Sequence, residues 1–432
     1  MRKPRRIHGD GDARRPRRGR AHEPGGLRVV MVSPDAPPDP YGGIGTYLEG
    51  LLGAMASQNA DVHLVGTSRH RHLPRVSRYG AVTVRRVLAT RPWARAARPR
   101  WFLGMVAEFA RLNLAGVWYA WRLHARARVD LVAVHDWMCA PAGLACAMLL
   151  RIPVCYHVHS AETFLGAGSR GLVALLGRAL NRALSRRARL IMVPSYGTVA
   201  AVPHLAGRGD VVVVSHGAGK AWRMACPDDA ERAVIRDKIR SMYGIPDGRR
   251  LIVFAGRYAP HKGVAELIDA VKRLVDDGLD VAAVAAGTGW PDLSLNDRLR
   301  EQVAGLGLGE RVHLLCRFLD TDELRDHLVA ADACAFPSAY EPFGFVALEA
   351  MALGARTVVG PGFDEGVVGG AEGACLRIAT MDPGELAAAL ARAVSDDDPE
   401  LGARARRYVR EHHSWEAAAA RTLKAYGEAV GR

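Results

Sequence analysis

The chain has 432 residues, 49% of them hydrophobic and 24% charged, which is enough to bury a large core, suggests two domains and excludes a wholly disordered or fibrous protein. The net charge of +14 invites a nucleic-acid partner, but residues 1–20 carry nine of the basic side chains against two aspartates and hold half of that charge, so a disordered basic tail over 1–26 is expected and a specific nucleic-acid site is not. No run reaches the length of a membrane-spanning helix, the stretch Leu27 to Val32 after the tail is only six residues long and too short for a secretory signal, and seven cysteines without a Cys-x-x-Cys pair fit reduced thiols in a cytoplasm.

Residues 27–33 read as a buried strand. A segment rich in proline and glycine follows, with a helix expected from 46 to 57. Gly42, Gly43 and Gly45 lie between the two, where backbone amides can approach a phosphate or a sugar hydroxyl. Strands are expected at 61–66 and 81–87. Between 91 and 128, Trp93, Trp101, Phe102, Phe109, Trp118, Tyr119 and Trp121 are interleaved with Arg95, Arg98, Arg100, Arg111, Arg122, Arg126 and Arg128. Such a stretch suits either contact with an anionic membrane surface or a core-facing helix with a solvated arginine face, and the second is preferred. Two further strands end in His135-Asp136 and in His157-Val158-His159, both on the side of the glycine segment. Asp136 suits a helix cap or an acceptor contact equally. His157 is expected on the face of the strand opposite His159, as the weaker candidate.

After strands at 190–194 and 210–215, a polar segment from 220 to 249 leads into a second series of alternating strands and helices. Its first strand, 251–255, runs into Gly256-Arg257, and Lys262-Gly263 precedes the next helix. Two fixed cations beside a helix N-terminus are what a pyrophosphate leaving group requires, because negative charge grows on it as its bond breaks. Asp320-x-Asp322 has the form of a metal motif, yet its place just ahead of a helix fits an N-cap with acidic first-turn residues. The last strand-turn-helix of interest spans 332–354. Pro342 biases Glu341 to extended backbone between strand and helix, and Glu349 falls inside the helix that Gly344 opens.

Tyr340-Glu341-Pro342-Phe343-Gly344, with Glu349 following Glu341 after seven intervening residues, resembles the signature of the retaining nucleotide-sugar glycosyltransferases of family 4, which have the GT-B fold. The glycine segment, Gly256-Arg257-x4-Lys262-Gly263, His159 and the ending His413-Ser414-Trp415-Glu416 resemble the same family at matching places. Where the family usually shows Pro-Asn-Gly near the hinge, this chain has Ser215-His216-Gly217.

The resemblance covers nearly all of 27–430 and implies an α/β chain of two facing Rossmann-like domains with the active site between them. The expected division is an acceptor domain at 27–219, a donor domain at 220–412, and a terminal helix at 413–432 crossing back to the first domain. It further implies a retaining, metal-independent hexosyltransferase whose donor is a nucleotide diphosphate sugar, a UDP-sugar by preference, with no cofactor. His159 and Glu341 would contact the sugar, Arg257 and Lys262 the diphosphate, Glu349 the ribose, and Gly43, Gly45 and Gly344 would bring backbone close to the ligand. A small polar acceptor such as an aminocyclitol or antibiotic precursor is preferred over a lipid or polysaccharide at a membrane, or over a nucleotide-sugar epimerase.

Overall fold

A computed structural model describes residues 26–38, 43–89, 98–159, 172–219, 226–289, 292–395 and 398–431. The basic tail up to residue 25, Gly42 and the segment 90–97 lie outside the described residues.

The first half alternates β1 (Arg28–Ser33), α1 (Gly43–Ser57), β2 (Asp61–Ser68), β3 (Val76–Tyr79), β4 (Val82–Leu88) and α2 (Arg98–His124). It continues with β5 (Leu131–His135), α3 (Ala140–Leu149), β6 (Val154–His157), α4 (Leu172–Arg187), β7 (Leu190–Val193), α5 (Tyr196–Ala201) and β8 (Val211–Val213). The eight strands form one sheet in the order β3-β4-β2-β1-β5-β6-β7-β8. All neighbours are parallel except β3 and β4. β1 and β5 are apolar on both faces, and two buried clusters accordingly lie on opposite faces of the sheet.

The second half runs α6 (Asp229–Tyr243), β9 (Arg250–Ala255), α7 (Val264–Asp276), β10 (Val281–Ala286), α8 (Ser294–Gly305), β11 (Val312–Leu314), α9 (Thr321–Ala330) and β12 (Ala333–Phe336). It ends with α10 (Phe345–Ala352), β13 (Thr357–Val359), α11 (Glu365–Val368), β14 (Leu376–Arg377), α12 (Pro383–Val394), α13 (Leu401–His412) and α14 (Trp415–Ala429). Its six parallel strands stand in the order β11-β10-β9-β12-β13-β14. In both sheets the order reverses beside the first strand, between β1 and β5 and between β9 and β12. Such a reversal opens a crevice outside the carboxyl ends of the strands, where ligands of doubly wound sheets bind. α7 shows how the helices cover these sheets: Val264, Leu267, Ile268, Val271 and Leu274 are buried at helical spacing.

α14 leaves the second half and packs on the first. Trp415 and Tyr426 belong to the same buried cluster as Tyr47 and Leu48 of α1, and the Trp415 indole donates to the Gly219 carbonyl at 3.0 Å. Trp415 lies against Gly50 and Gly217, where an added Cβ would stand 2.1 and 2.4 Å from the indole. Only glycine admits the ring at these two places.

Three expectations need correction. The helix expected at 46 begins at Gly43, so Gly43 and Gly45 form its first turn rather than a loop, and Gly45 is buried. The edge strand β3 was not foreseen, because Val76–Tyr79 is short and exposed on both faces and lacks any apolar alternation. α2 is only partly a core helix: Leu112, Tyr119 and Ala120 are buried, while Leu114, Trp118 and Trp121 are 71%, 52% and 53% exposed. The side chains of Trp101 and Phe102 lie outside the described residues, as does Trp93.

Asp320 caps α9 reciprocally. Its carboxylate accepts from the Glu323 amide at 2.8 Å, and Glu323 accepts from the Asp320 amide at 3.2 Å. The Asp-x-Asp sequence therefore serves a helix end. Asp320→Ala should cost about 1 kcal/mol of stability, visible in the urea midpoint, and leave turnover and its response to chelators unchanged. A selective loss of turnover would return Asp320 to the active site.

Candidate active site

Four loops at strand carboxyl ends meet where the two sheets face one another. Beyond β9, Gly256 and Arg257 lead into the turn that holds His261 and Lys262. Gly263 follows with φ +75°, and a Cβ there would stand 2.2 Å from the Pro337 carbonyl. This close approach locks the turn after β9 onto the one after β12, and Ala339 reinforces it by donating to the His261 carbonyl at 2.8 Å.

The contact that defines the site joins these turns. Lys262 Nζ lies 2.6 Å from Glu341 Oε2, with the two side chains 14% and 17% exposed. Residues 79 apart in sequence thus form one charge-assisted pair at the strand-order reversal. Arg257 stands exposed beside it, close enough for the Glu341 charge to act on its guanidinium. Burial, with the charges of Lys262 and Arg257 adding, presses the His261 pKa down to about 4. His261 is therefore neutral at pH 7, and the arrangement of Lys262, Arg257 and Glu341 can hold a diphosphate beside hydroxyl groups.

Gly344 opens α10 at φ +92°, where a Cβ would stand 2.3 Å from the Phe363 ring. Glu349, one turn further, is only 3% exposed and points at the linker: a Cβ on Gly219 would stand 2.3 Å from Glu349 Oε1. The two glutamates of the motif consequently face different surroundings, one the ion pair and the other the hinge. Across the cleft, Gly43 at the start of α1 lies where a Cβ would be 3.8 Å from the Phe345 ring. Ser195 donates to the Pro342 carbonyl at 2.7 Å, and the Gly197 amide donates to Asp364 Oδ2 at 2.7 Å. The halves touch directly around Glu341.

His159 sits at the carboxyl end of β6. Its backbone amide donates to Asp136 Oδ1 at 2.8 Å, and its Nε2 lies 2.9 Å from His135 Nδ1. Asp136, at φ 58°, makes no side-chain cap to the short turn that follows it. Its carboxylate holds His159 instead, a use that neither expectation for it included. The expectation that His157 faces away from His159 also fails. Residues two apart lie on the same face of an extended chain, and the two rings approach within 6.1 Å, stacked at 16°. His157 spans two phenols, with Tyr47 at 3.3 Å from Nδ1 and Tyr426 at 2.6 Å from Nε2.

His216, in the departure from the family pattern, fills the hinge. Its ring lies 4.3 Å from Tyr47, 4.8 Å from Phe343 and 5.9 Å from Phe345, and its Nδ1 is buried without a partner. Tyr47, His135 and His216 are the residues of this region that sequence reasoning passed over. The histidines at strand ends were a usable signal, while Tyr47 sits on an ordinary helix face.

Burial holds His135, His157 and His216 well below the ordinary histidine pKa, with neighbouring imidazoles adding to the effect, and presses His159 to about 3. In the unfolded chain each returns to about 6.5. Because the folded state then binds fewer protons, the stability these groups provide is complete above about pH 6.5 and is lost as pH falls below it. The urea midpoint should be lower at pH 5 than at pH 7.5, each neutral histidine contributing up to about 1.4 kcal/mol per pH unit. An unchanged midpoint would contradict the neutral, buried state of these rings.

Residues 235–412 match the family described as glycosyl transferases group 1, and residues 41–219 match Glycosyltransferase Family 4. The two matches take in most of the chain and both sides of the cleft. The chain belongs to the family 4, group 1 glycosyltransferases. A glycogen synthase of Mycobacterium tuberculosis is 28% identical, with 93% of this chain and 94% of that protein covered. A D-inositol 3-phosphate glycosyltransferase of Streptomyces avermitilis is also 28% identical, with 93% and 88% covered. Sucrose-phosphate synthase from Thermosynechococcus elongatus superposes with a TM-score of 0.72 at 21% identity, covering 93% of this chain and 98% of that one. HepE of Anabaena, solved with UDP-glucose, gives 0.68 at 19% identity, covering 92% and 99%. The fold of this glycosyltransferase is thus GT-B. Among its described residues no helix is long and apolar enough to cross a membrane.

Proposed function

We propose that this glycosyltransferase moves a hexosyl group from a nucleotide diphosphate sugar, a UDP-sugar by preference, to the hydroxyl of a small polar acceptor, retaining anomeric configuration and needing no metal. The observation that carries the reading is the Lys262–Glu341 pair at 2.6 Å with Arg257 beside it. Lys262 and Arg257 neutralise the diphosphate as the bond between the anomeric carbon and the phosphate oxygen breaks. Glu341 accepts hydrogen bonds from donor-sugar hydroxyls, and its charge favours an oxocarbenium-like transition state. The leaving phosphate oxygen takes the proton of the acceptor hydroxyl, whose oxygen bonds to the anomeric carbon on the face just vacated. His159 contacts the sugar from the first sheet, Glu349 the ribose, and Gly43, Gly45 and Gly344 line the ligand with backbone. A donor bound this way displaces Lys262 from Glu341, so nucleotide binding and opening of the ion pair are coupled.

The relatives named for D-inositol 3-phosphate and for glycogen support a polyhydroxy acceptor, and aminocyclitols and antibiotic precursors fall in that class. The test is product formation from UDP-, GDP-, ADP- and dTDP-sugars with a panel of polyols, sugar phosphates and glucans in EDTA, with the anomeric configuration of the product read by NMR. An inverted product, or turnover that requires added metal, would overturn the mechanism.

The exposed apolar strip of α2 favours a second reading, a lipid acceptor at an anionic membrane surface. Leu114, Trp118 and Trp121 stand in solvent, and Arg122 lies over the Trp118 ring at 5.2 Å. On this reading the protein should sediment with vesicles containing anionic lipid, and Trp118→Ala with Trp121→Ala should abolish that. Equal recovery with and without vesicles would remove the reading.

A further inference from the structure

Behind the sugar-facing position, three imidazoles converge from two neighbouring strands. One ring nitrogen of each of His135, His157 and His159 lies within 4.8 Å of those of the other two, and His135 and His157 are fully buried. β5 and β6 pair with His135 directly opposite His157, so the sheet itself fixes two of the three. His159, just beyond the strand, is tied by its backbone amide to Asp136. No carboxylate or backbone carbonyl belongs to the group.

The hydrogen-bond inventory of these rings leaves lone pairs available. His157 Nε2 is anchored on the Tyr426 hydroxyl at 2.6 Å, whereas Nδ1 has only the longer contact of 3.3 Å to Tyr47. That is the arrangement of a metal-binding histidine whose second nitrogen is oriented by an outer partner. His135 Nδ1 and His159 Nε2 stand 2.9 Å apart and share a single proton, while His135 Nε2 is buried with no partner at all. Two nitrogens on a tetrahedral ion, at bond lengths of roughly 2.0–2.1 Å, are separated by about 3.3 Å, so this pair needs a small ring movement to accept one. A cavity of about 10 Å³ adjoins the group, lined by Tyr47, His157, His159 and His216. Its volume is about that of one water-sized occupant.

We propose that His135, His157 and His159 form a binding site for a borderline transition-metal dication such as Zn²⁺ or Co²⁺, whose occupation withdraws His159 from the sugar. Binding places the metal between His135 Nδ1 and His159 Nε2, and the proton they shared moves to the far nitrogen of the ring that carried it, so the neutral imidazoles bind without net proton release. His157 exchanges its Tyr47 contact for the ion, and water or the Tyr47 oxygen completes the shell. The all-imidazole donor set selects such metals over Mg²⁺, which prefers oxygen ligands. The withdrawal of His159 rests on the transferase reading above; the metal site does not.

The test is titration of the full chain, without a polyhistidine tag, with Co²⁺ and Zn²⁺ at pH 7.5. One equivalent should bind, giving the visible absorption of a four- or five-coordinate Co²⁺ centre. His135→Asn and His157→Gln should each weaken binding at least tenfold, whereas a double change of His70→Ala with His72→Ala, a separate pair whose rings stand 5.4 Å apart, should leave it unchanged. If the buried variants do not fold, the wild-type Co²⁺ spectrum and binding stoichiometry decide alone. Absence of the spectrum, or retention of binding in folded His157→Gln, overturns the site. Zn²⁺ should inhibit transfer in proportion to occupancy and EDTA should reverse it. Stoichiometric binding without inhibition would leave the site standing and overturn both the withdrawal and the sugar contact assigned to His159.

Discussion

Lys262→Ala should lower kcat by 10²–10³-fold, about 3–4 kcal/mol of transition-state stabilisation, the scale on which a single preorganised donor to a developing charge acts. The substitution removes the cation nearest the proposed leaving group and leaves Glu341 Oε2 without the partner that stands 2.6 Å away. A half-buried carboxylate without its cation costs on the order of 1–3 kcal/mol, so the variant should still fold cooperatively with a modestly lower midpoint. Lys262→Arg keeps the charge but not the point geometry, and should recover only part of the rate. Glu341→Gln should be slow for a different reason, losing charge opposite the sugar while Lys262 stays free to hold phosphate. The two variants are distinguished by donor affinity, weakened in the first and retained in the second. Near wild-type turnover in Lys262→Ala would remove the residue from the mechanism.

Gly344→Ala should be strongly destabilising. The position has φ +92°, outside the range side chains adopt readily, and the new Cβ would stand 2.3 Å from the buried Phe363 ring. Backbone strain of about 1–3 kcal/mol and a comparable overpacking cost give roughly 2–6 kcal/mol. Relief by movement would shift the start of α10 and, with it, Glu341 and the amides that face the cleft. Urea unfolding of Gly344→Ala reads the first effect and turnover the second. A midpoint within error of wild type would mean that the turn before α10 relaxes freely, and the rigidity attributed to it would be wrong.

Much of this architecture was legible because parallel sheets announce themselves. Runs such as Val281–Ala286 are apolar on both faces, and the helices between them carry caps readable by eye, Asp320 with Glu323 among them. Lys262 and Glu341 were found because each lies in a turn with its own local signature, even though nothing in the sequence states that they touch. What stayed hidden depends on which side chains meet and where helices turn their faces. His157 and His159 were assigned to opposite faces, although residues two apart share one face of a strand and their rings do come together. Tyr47 and Tyr426, which hold His157 from two helices, carry no sequence sign of that role. α2 misled because its apolar residues surround the helix, so no stripe marks which of them, Leu112 or Leu114, meets the core. The helix start at Gly43 was placed late because glycines argue for a loop until packing across the cleft, here against Phe345, outweighs their weak propensity.

The central claim is that Lys262, Arg257 and Glu341 form the diphosphate-sugar site. The most direct test is thermal stabilisation of wild type and Lys262→Ala by UDP-, GDP-, ADP- and dTDP-sugars with EDTA present. Ligand at a hundredfold excess over Kd adds about 2.7 kcal/mol to the stability of the folded protein. One nucleotide class, UDP-sugars by preference, should raise the melting temperature of wild type and leave that of Lys262→Ala nearly unmoved. Equal stabilisation of both proteins, or none of wild type by any donor, would contradict the assignment.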